Sequence, residues 1–110
     1  METQLKKGLL DACILKCLEQ TDSYGYKLIS DISKYIEVSE STLYPILKRL
    51  EDAKYLSTYK EEHANRLRKY YRITAEGKER LKEQVEEIQK LYAVIKFIEG
   101  EEVKWQKKNF

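Results

Sequence analysis

The sequence predicts a mainly α fold that carries one small two-stranded β-hairpin. Three observations predict it. Apolar residues recur at helical spacing, as in Leu43, Ile46, Leu47 and Leu50. Two short runs, Tyr55-Leu56-Ser57-Thr58-Tyr59 and Lys69-Tyr70-Tyr71-Arg72-Ile73, are rich instead in aromatic and β-branched side chains. The stretch from Ala75 to about Glu99 carries apolar residues in a heptad.

The first helix is expected from Thr3 to Glu19. Leu5, Leu9, Leu10, Cys13, Ile14, Leu15, Cys17 and Leu18 cover most of its girth, so burial on two sides is expected. Thr21-Asp22-Ser23 reads as a break followed by an N-cap. A short second helix, Tyr24 to Ser33, points Leu28, Ile29 and Ile32 inward. A third, capped by Ser39 or Ser41, ends near Ala53 or Lys54. Its Pro45 is cheap only close to the first turn, where a missing N–H has no helical partner to lose. The strands follow, joined by the polar stretch Glu61-Glu62-His63-Ala64-Asn65, in which Asn65 can take the left-handed conformation.

Thr74 caps the last helix. Leu81, Val85, Ile88, Tyr92 and Ile95 form its seam, widened by Leu91 and Ile98, while Glu86 and Lys90 make a favourable pair on the opposite face. Such a helix is about 37 Å long, more than a small domain needs for its own core. The seam is expected to pack on another subunit, together with Leu5 and Leu9 of the first helix.

The chain has 110 residues, 42% hydrophobic and 36% charged, which suits one folded domain and excludes a disordered chain. No run approaches a membrane span, and the N-terminus lacks the apolar core and small-residue cleavage site of a signal peptide. A cytoplasmic location is the default expectation, and the two cysteines fit it. The net charge is +2 and unevenly placed. Residues 1–53 carry 7 basic and 9 acidic groups, residues 54–73 carry 6 and 2, and residues 74–110 carry 8 and 8. The positive excess lies on the hairpin, which is the footprint of a polyanion site or merely a solvated hairpin.

Helix, helix, helix, hairpin, long helix is the order of a winged helix-turn-helix with a two-stranded β-wing and a long C-terminal dimerisation helix. Residues 1–73 would form the DNA-binding domain, and residues 74–110 the dimerisation helix and a short tail. Tyr24-Gly25-Tyr26, the run from Ser41-Thr42-Leu43-Tyr44-Pro45 to Leu50-Glu51, and Arg68-Lys69-Tyr70-Tyr71-Arg72-Ile73-Thr74 followed by Gly77 carry a resemblance. In that order and spacing they resemble the PadR-like transcriptional regulators, in the compact subfamily with a single dimerisation helix. The family often has glycine where Ser41 and Lys54 stand and glycines at the wing tip, where this chain reads His-Ala-Asn.

The resemblance implies a homodimeric repressor of double-stranded DNA, with a palindromic operator. Its third helix enters the major groove through Ser39, Ser41, Thr42 and Tyr44. Lys48 and Arg49 hold the backbone, and Arg66, Arg68 and Lys69 on the wing meet phosphates or the minor groove. Tyr24, like Tyr44, has two readings, packing and DNA contact. Glu40 would repel phosphates unless it accepts from a cytosine amine. Of Tyr70 and Tyr71, Tyr71 is expected to face the core.

A small-molecule effector is implied between the first and long helices, with Leu9, Ile88, Tyr92 and Trp105 as candidate lining. Some family members stack flat ligands on an aromatic ring of the long helix, and Ile88 stands about where that ring falls. Cys13 and Cys17, at i and i+4, form a core pair or an incomplete metal ligand set. His63 has no nucleophile partner, so no catalytic residue, metal or cofactor is expected. A protein-interaction adaptor and an RNA-binding module on the same scaffold are the competing readings.

Overall fold

In the computed structural model, which describes residues 3–101, the elements follow in the expected order. They are α1 (Thr3–Gln20), α2 (Gly25–Ile32), α3 (Glu40–Asp52), β1 (Leu56–His63), β2 (Arg66–Ile73) and α4 (Ala75–Ile98). The fold is four helices plus one antiparallel hairpin, a winged helix-turn-helix extended by a long helix. Among these residues no helix is long and apolar enough to cross a membrane.

The apolar faces meet where their spacing places them. Leu10, Ile14 and Leu15 of α1, Leu28 and Ile32 of α2, and Leu43, Leu47 and Leu50 of α3 are fully buried. Leu56, Tyr71 and Ile73 of the hairpin and Leu81 of α4 close the same core. The other side of α1 is not covered within the chain: Leu5 is exposed, and Leu9, Cys13 and Cys17 are half-buried.

Backbone geometry explains three residues that depart from the family's glycine pattern. Among the described residues, Lys54, Ala64 and Asn65 are the non-glycine residues at positive φ, at 69°, 51° and 65°. Lys54 follows the end of α3, where its N–H donates to the Glu51 carbonyl and the Tyr55 N–H to the Leu50 carbonyl, both at 3.0 Å. That is a Schellman cap with lysine in the position glycine usually takes. Ala64 and Asn65 form a two-residue hairpin turn, with both central residues at positive φ as a type I′ turn requires.

Some local expectations are corrected. The strands are longer than the apolar runs, because the tight turn lets pairing continue through Glu61↔Arg68 to His63↔Arg66. Ser23 does not cap α2. Tyr24 holds the N-cap position, and Ser23 exchanges backbone hydrogen bonds with Tyr71, extending the sheet by one bridge. Pro45 lies in the second turn of α3, past the first turn, so the Ser41 carbonyl lacks its helical donor on an exposed face. Thr74 caps α4 as expected, accepting from the Gly77 N–H at 3.0 Å and donating to the Lys54 carbonyl at 2.7 Å. Gly77 is needed because a Cβ there would strike the Tyr55 backbone carbonyl.

Candidate nucleic-acid interface

The start of α3 is an exposed polar surface. Ser39, Glu40 and Ser41 are exposed and Thr42 is half-buried. The Ser39 hydroxyl caps no backbone group. It lies 3.0 Å from the Ser41 hydroxyl and donates to the Thr42 hydroxyl at 3.3 Å. Tyr44 packs against α2 and still stays partly exposed. Its ring lies so close to Gly25 that a Cβ there would collide with it, yet the residue remains 41% exposed. The glycine of Tyr24-Gly25-Tyr26 thus exists to seat the tyrosine of α3. Tyr26, from the same motif, is exposed, and the nearby Glu40 carboxylate raises its pKa.

The hairpin has two faces. Alternation puts Leu56, Thr58, Lys69, Tyr71 and Ile73 toward α3, and Tyr59, Arg66, Arg68, Tyr70 and Arg72 outward. Tyr71 is buried and Tyr70 is not, as expected. Lys69 therefore does not share a face with Arg66 and Arg68. It pairs with Glu51 of α3 at 3.6 Å.

The outward face is a ladder of rings and cations. Arg68 stacks on Tyr24 at 3.9 Å, Tyr24 meets Tyr70 edge-on, Tyr70 stacks on Tyr59, and Arg72 lies over Tyr59 at 4.9 Å. Asp22 closes the far end, accepting from the Tyr59 hydroxyl at 2.7 Å and from Arg72 at 3.1 Å. Burial works to raise the Asp22 pKa. The two hydrogen bonds and the Arg72 charge together outweigh it and hold the carboxyl below its ordinary value. The ladder joins the wing to the turn before α2, so Tyr24 fixes where Arg68 stands.

The remaining expected cations are tied to carboxylates. Lys48 pairs with Asp52 at 2.9 Å, and Arg49 reaches back to Asp11 of α1 at 2.6 Å. On the wing, Lys60, Arg66 and Arg68 are in no ion pair among the described residues, whereas Lys69 and Arg72 are. Sequence reasoning missed the carboxylate partners Asp11, Asp22, Glu51 and Asp52. Asp22 was legible only as a helix-break residue, since its partners lie up to 50 positions away.

Of the expected seam, the structure gives Leu81 to the chain's own core. Ile88 is half-buried, while Val85, Tyr92 and Ile95 are 40%, 49% and 43% exposed. Val94, Phe97 and Ile98 extend this apolar surface along the distal half of α4. Between α1, α2 and the near half of α4 lies a cavity of about 580 Å³. Leu9, Cys13, Cys17 and Ile88 line it, with Lys27 and Asp31 and with Ser23, whose buried hydroxyl has no hydrogen-bond partner among the described residues. Of the expected effector residues, Leu9 and Ile88 meet there, Tyr92 does not line it, and Trp105 lies outside the described residues. Burial raises both thiol pKa values, so neither cysteine is an activated thiolate.

A helix-turn-helix with a basic wing and an exposed recognition-helix start defines a DNA-binding regulator. Residues 14–83 match the family described as the transcriptional regulator PadR-like family. The chain is 34% identical over 106 residues to an uncharacterized protein of Lysinibacillus sphaericus, covering 91% of this chain and 97% of that one. Among solved structures, it resembles a transcriptional regulator from Clostridium thermocellum, at 34% identity and a TM-score of 0.78 over 86% of this chain and 94% of that one. It also resembles a PadR family transcription regulator from Clostridium difficile, at 30% identity and a TM-score of 0.74 over 81% and 96% of the two chains. The chain belongs to the PadR-like family of transcriptional regulators.

Proposed function

We propose that the protein is a cytoplasmic, homodimeric repressor that binds a palindromic operator and is released by a small molecule. The observation that carries this reading is the exposed start of α3 beside wing cations in no ion pair, Lys60, Arg66 and Arg68. The α3 start reads base edges in the major groove through Ser39, Ser41, Thr42 and Tyr44. The wing holds phosphates through Arg66 and Arg68, with Lys69, Lys48 and Arg49 joining when phosphates displace their carboxylates. Residues 1–73 carry this role, and residues 74–110 pair the two subunits through Val85, Ile88, Tyr92 and Ile95, with Leu5 and Leu9 beside them.

The cavity supports the effector reading. Its lining, apolar at Leu9 and Ile88 and charged at Lys27 and Asp31, suits a small, largely apolar ligand that also carries polar groups. Such a ligand would act by favouring one spacing of the two recognition helices over another.

A gel shift with the DNA upstream of the protein's own gene tests the reading. Wild type should prefer a palindrome there over random DNA. Replacing Arg66 and Arg68 with alanine should weaken all sequences alike, whereas Thr42→Ala should change the preferred sequence. No preference over random DNA would contradict the repressor reading.

A further inference from the structure

Arg68 has a carboxylate within reach and does not take it. In the register of the hairpin it stands directly opposite Glu61, so the two share the outward face. Opposed side chains on an antiparallel pair have Cβ atoms about 5 Å apart, a separation at which arginine and glutamate can pair. The neighbouring cations of β2 do take carboxylates, Lys69 that of Glu51 and Arg72 that of Asp22. Arg68 is in no ion pair among the described residues, and its guanidinium lies over the Tyr24 ring, 3.9 Å from the centroid. That ring is held from the body of the domain. Tyr24 is half-buried at the N-cap of α2, and the Tyr70 ring meets it edge-on at 5.5 Å. Ser23, just before it, exchanges backbone hydrogen bonds with Tyr71 at 3.2 and 2.7 Å, which ties the start of α2 to β2.

A cation over a ring and an exposed ion pair are interactions of similar size. A ring already fixed by packing loses less freedom on contact than the exposed Glu61 side chain does, which favours the ring. The two partners differ in what they leave open. Stacking engages the flat face of the guanidinium and leaves its in-plane N–H donors unused. A carboxylate engages those donors and offsets the charge. A phosphate needs both the donors and the charge. We infer that Tyr24 is a positioning residue for DNA binding, whose ring keeps Arg68 off Glu61 and so leaves the guanidinium edge open to a backbone phosphate. This rests on the DNA-binding reading above. Tyr24 acts through Arg68, and Glu61 is a competitor for that arginine built into the wing.

The test is the salt dependence of binding to a labelled duplex taken from the DNA upstream of the protein's own gene. It compares the full-length wild type with Tyr24→Phe, Tyr24→Leu, Glu61→Gln and the double variant Tyr24→Leu/Glu61→Gln. Tyr24→Leu should lose one phosphate contact per subunit and bring the log–log salt slope of a dimer closer to zero by about 2. Tyr24→Phe keeps the ring and should keep the wild-type slope, as should Glu61→Gln. The double variant should recover the wild-type slope, because the competing carboxylate is gone. A purely structural defect at position 24 would not be repaired at position 61. A double variant no better than Tyr24→Leu would therefore overturn the inference, as would an unchanged slope in Tyr24→Leu or a reduced one in Tyr24→Phe. Proton NMR of the wild type checks the contact without any variant: the Arg68 side-chain protons should be shifted upfield by the ring, and unshifted protons would overturn the inference. Wild-type binding that ignores salt would instead overturn the DNA-binding reading itself.

Discussion

Gly25 and Tyr44 show how one residue can fix a helix-turn-helix. A Cβ at position 25 would overlap the Tyr44 ring end, so Gly25→Ala must push the ring or the helix aside. Overpacking of this kind costs about 1–3 kcal/mol, measurable by urea denaturation. The cost should shrink in the Tyr44→Ala background, because the colliding ring is gone; an additive double mutant would refute the contact. Lys54 makes the opposite case. It pays for a left-handed conformation that glycine adopts freely, so Lys54→Gly should stabilise the protein by about 0.5–1 kcal/mol. A melting temperature that falls would contradict the cap. Only one of these effects was legible in the sequence. The departure from glycine at position 54 announced an altered cap, whereas the demand for glycine at position 25 depends on a contact between helices that no local pattern encodes.

The wing is held as an element by its outward ladder, and the ladder is titratable at one end. Asp22 has a folded-state pKa below its ordinary value of 3.8. Its stabilising contribution is therefore present above that value and lost as the pH falls through the lower folded-state pKa. Asp22→Asn should lower stability at neutral pH and flatten the acid limb of a pH–stability profile. An unchanged acid limb would remove Asp22 from the ladder's support. The outer half of the wing was hard to read from sequence for a related reason. Lys60-Glu61-Glu62 and Arg66-Leu67-Arg68 lack the β-branched and aromatic side chains that mark a strand. Main-chain pairing and the two-residue turn make those residues β, and neither is visible in side-chain composition.

At the scale of the molecule, helical periodicity located α4 but could not assign its partners. Leu81 and Ile95 are equivalent in the heptad, yet the first is buried in its own chain and the second is 43% exposed. A spacing of 3 and 4 gives a face, and the length of the domain beneath it decides where that face becomes free. The exposed Tyr92, Ile95 and Ile98 predict self-association. Ile95→Glu should turn a dimer into a monomer in light scattering at micromolar concentration and weaken binding to a palindrome. A wild-type protein that is already monomeric there would contradict the pairing.

In the proposed complex, two copies of α3 and the wing grip one palindrome through phosphates. Fluorescence anisotropy of a labelled operator, titrated over a range of salt concentrations, tests this most directly. Lys60, Arg66 and Arg68 lie in no ion pair among the described residues and are doubled in a dimer. Neutralising about six phosphates predicts a log–log salt slope near −5, with two chains bound per palindrome. Binding that ignores salt, or that saturates at one chain per site, would contradict it.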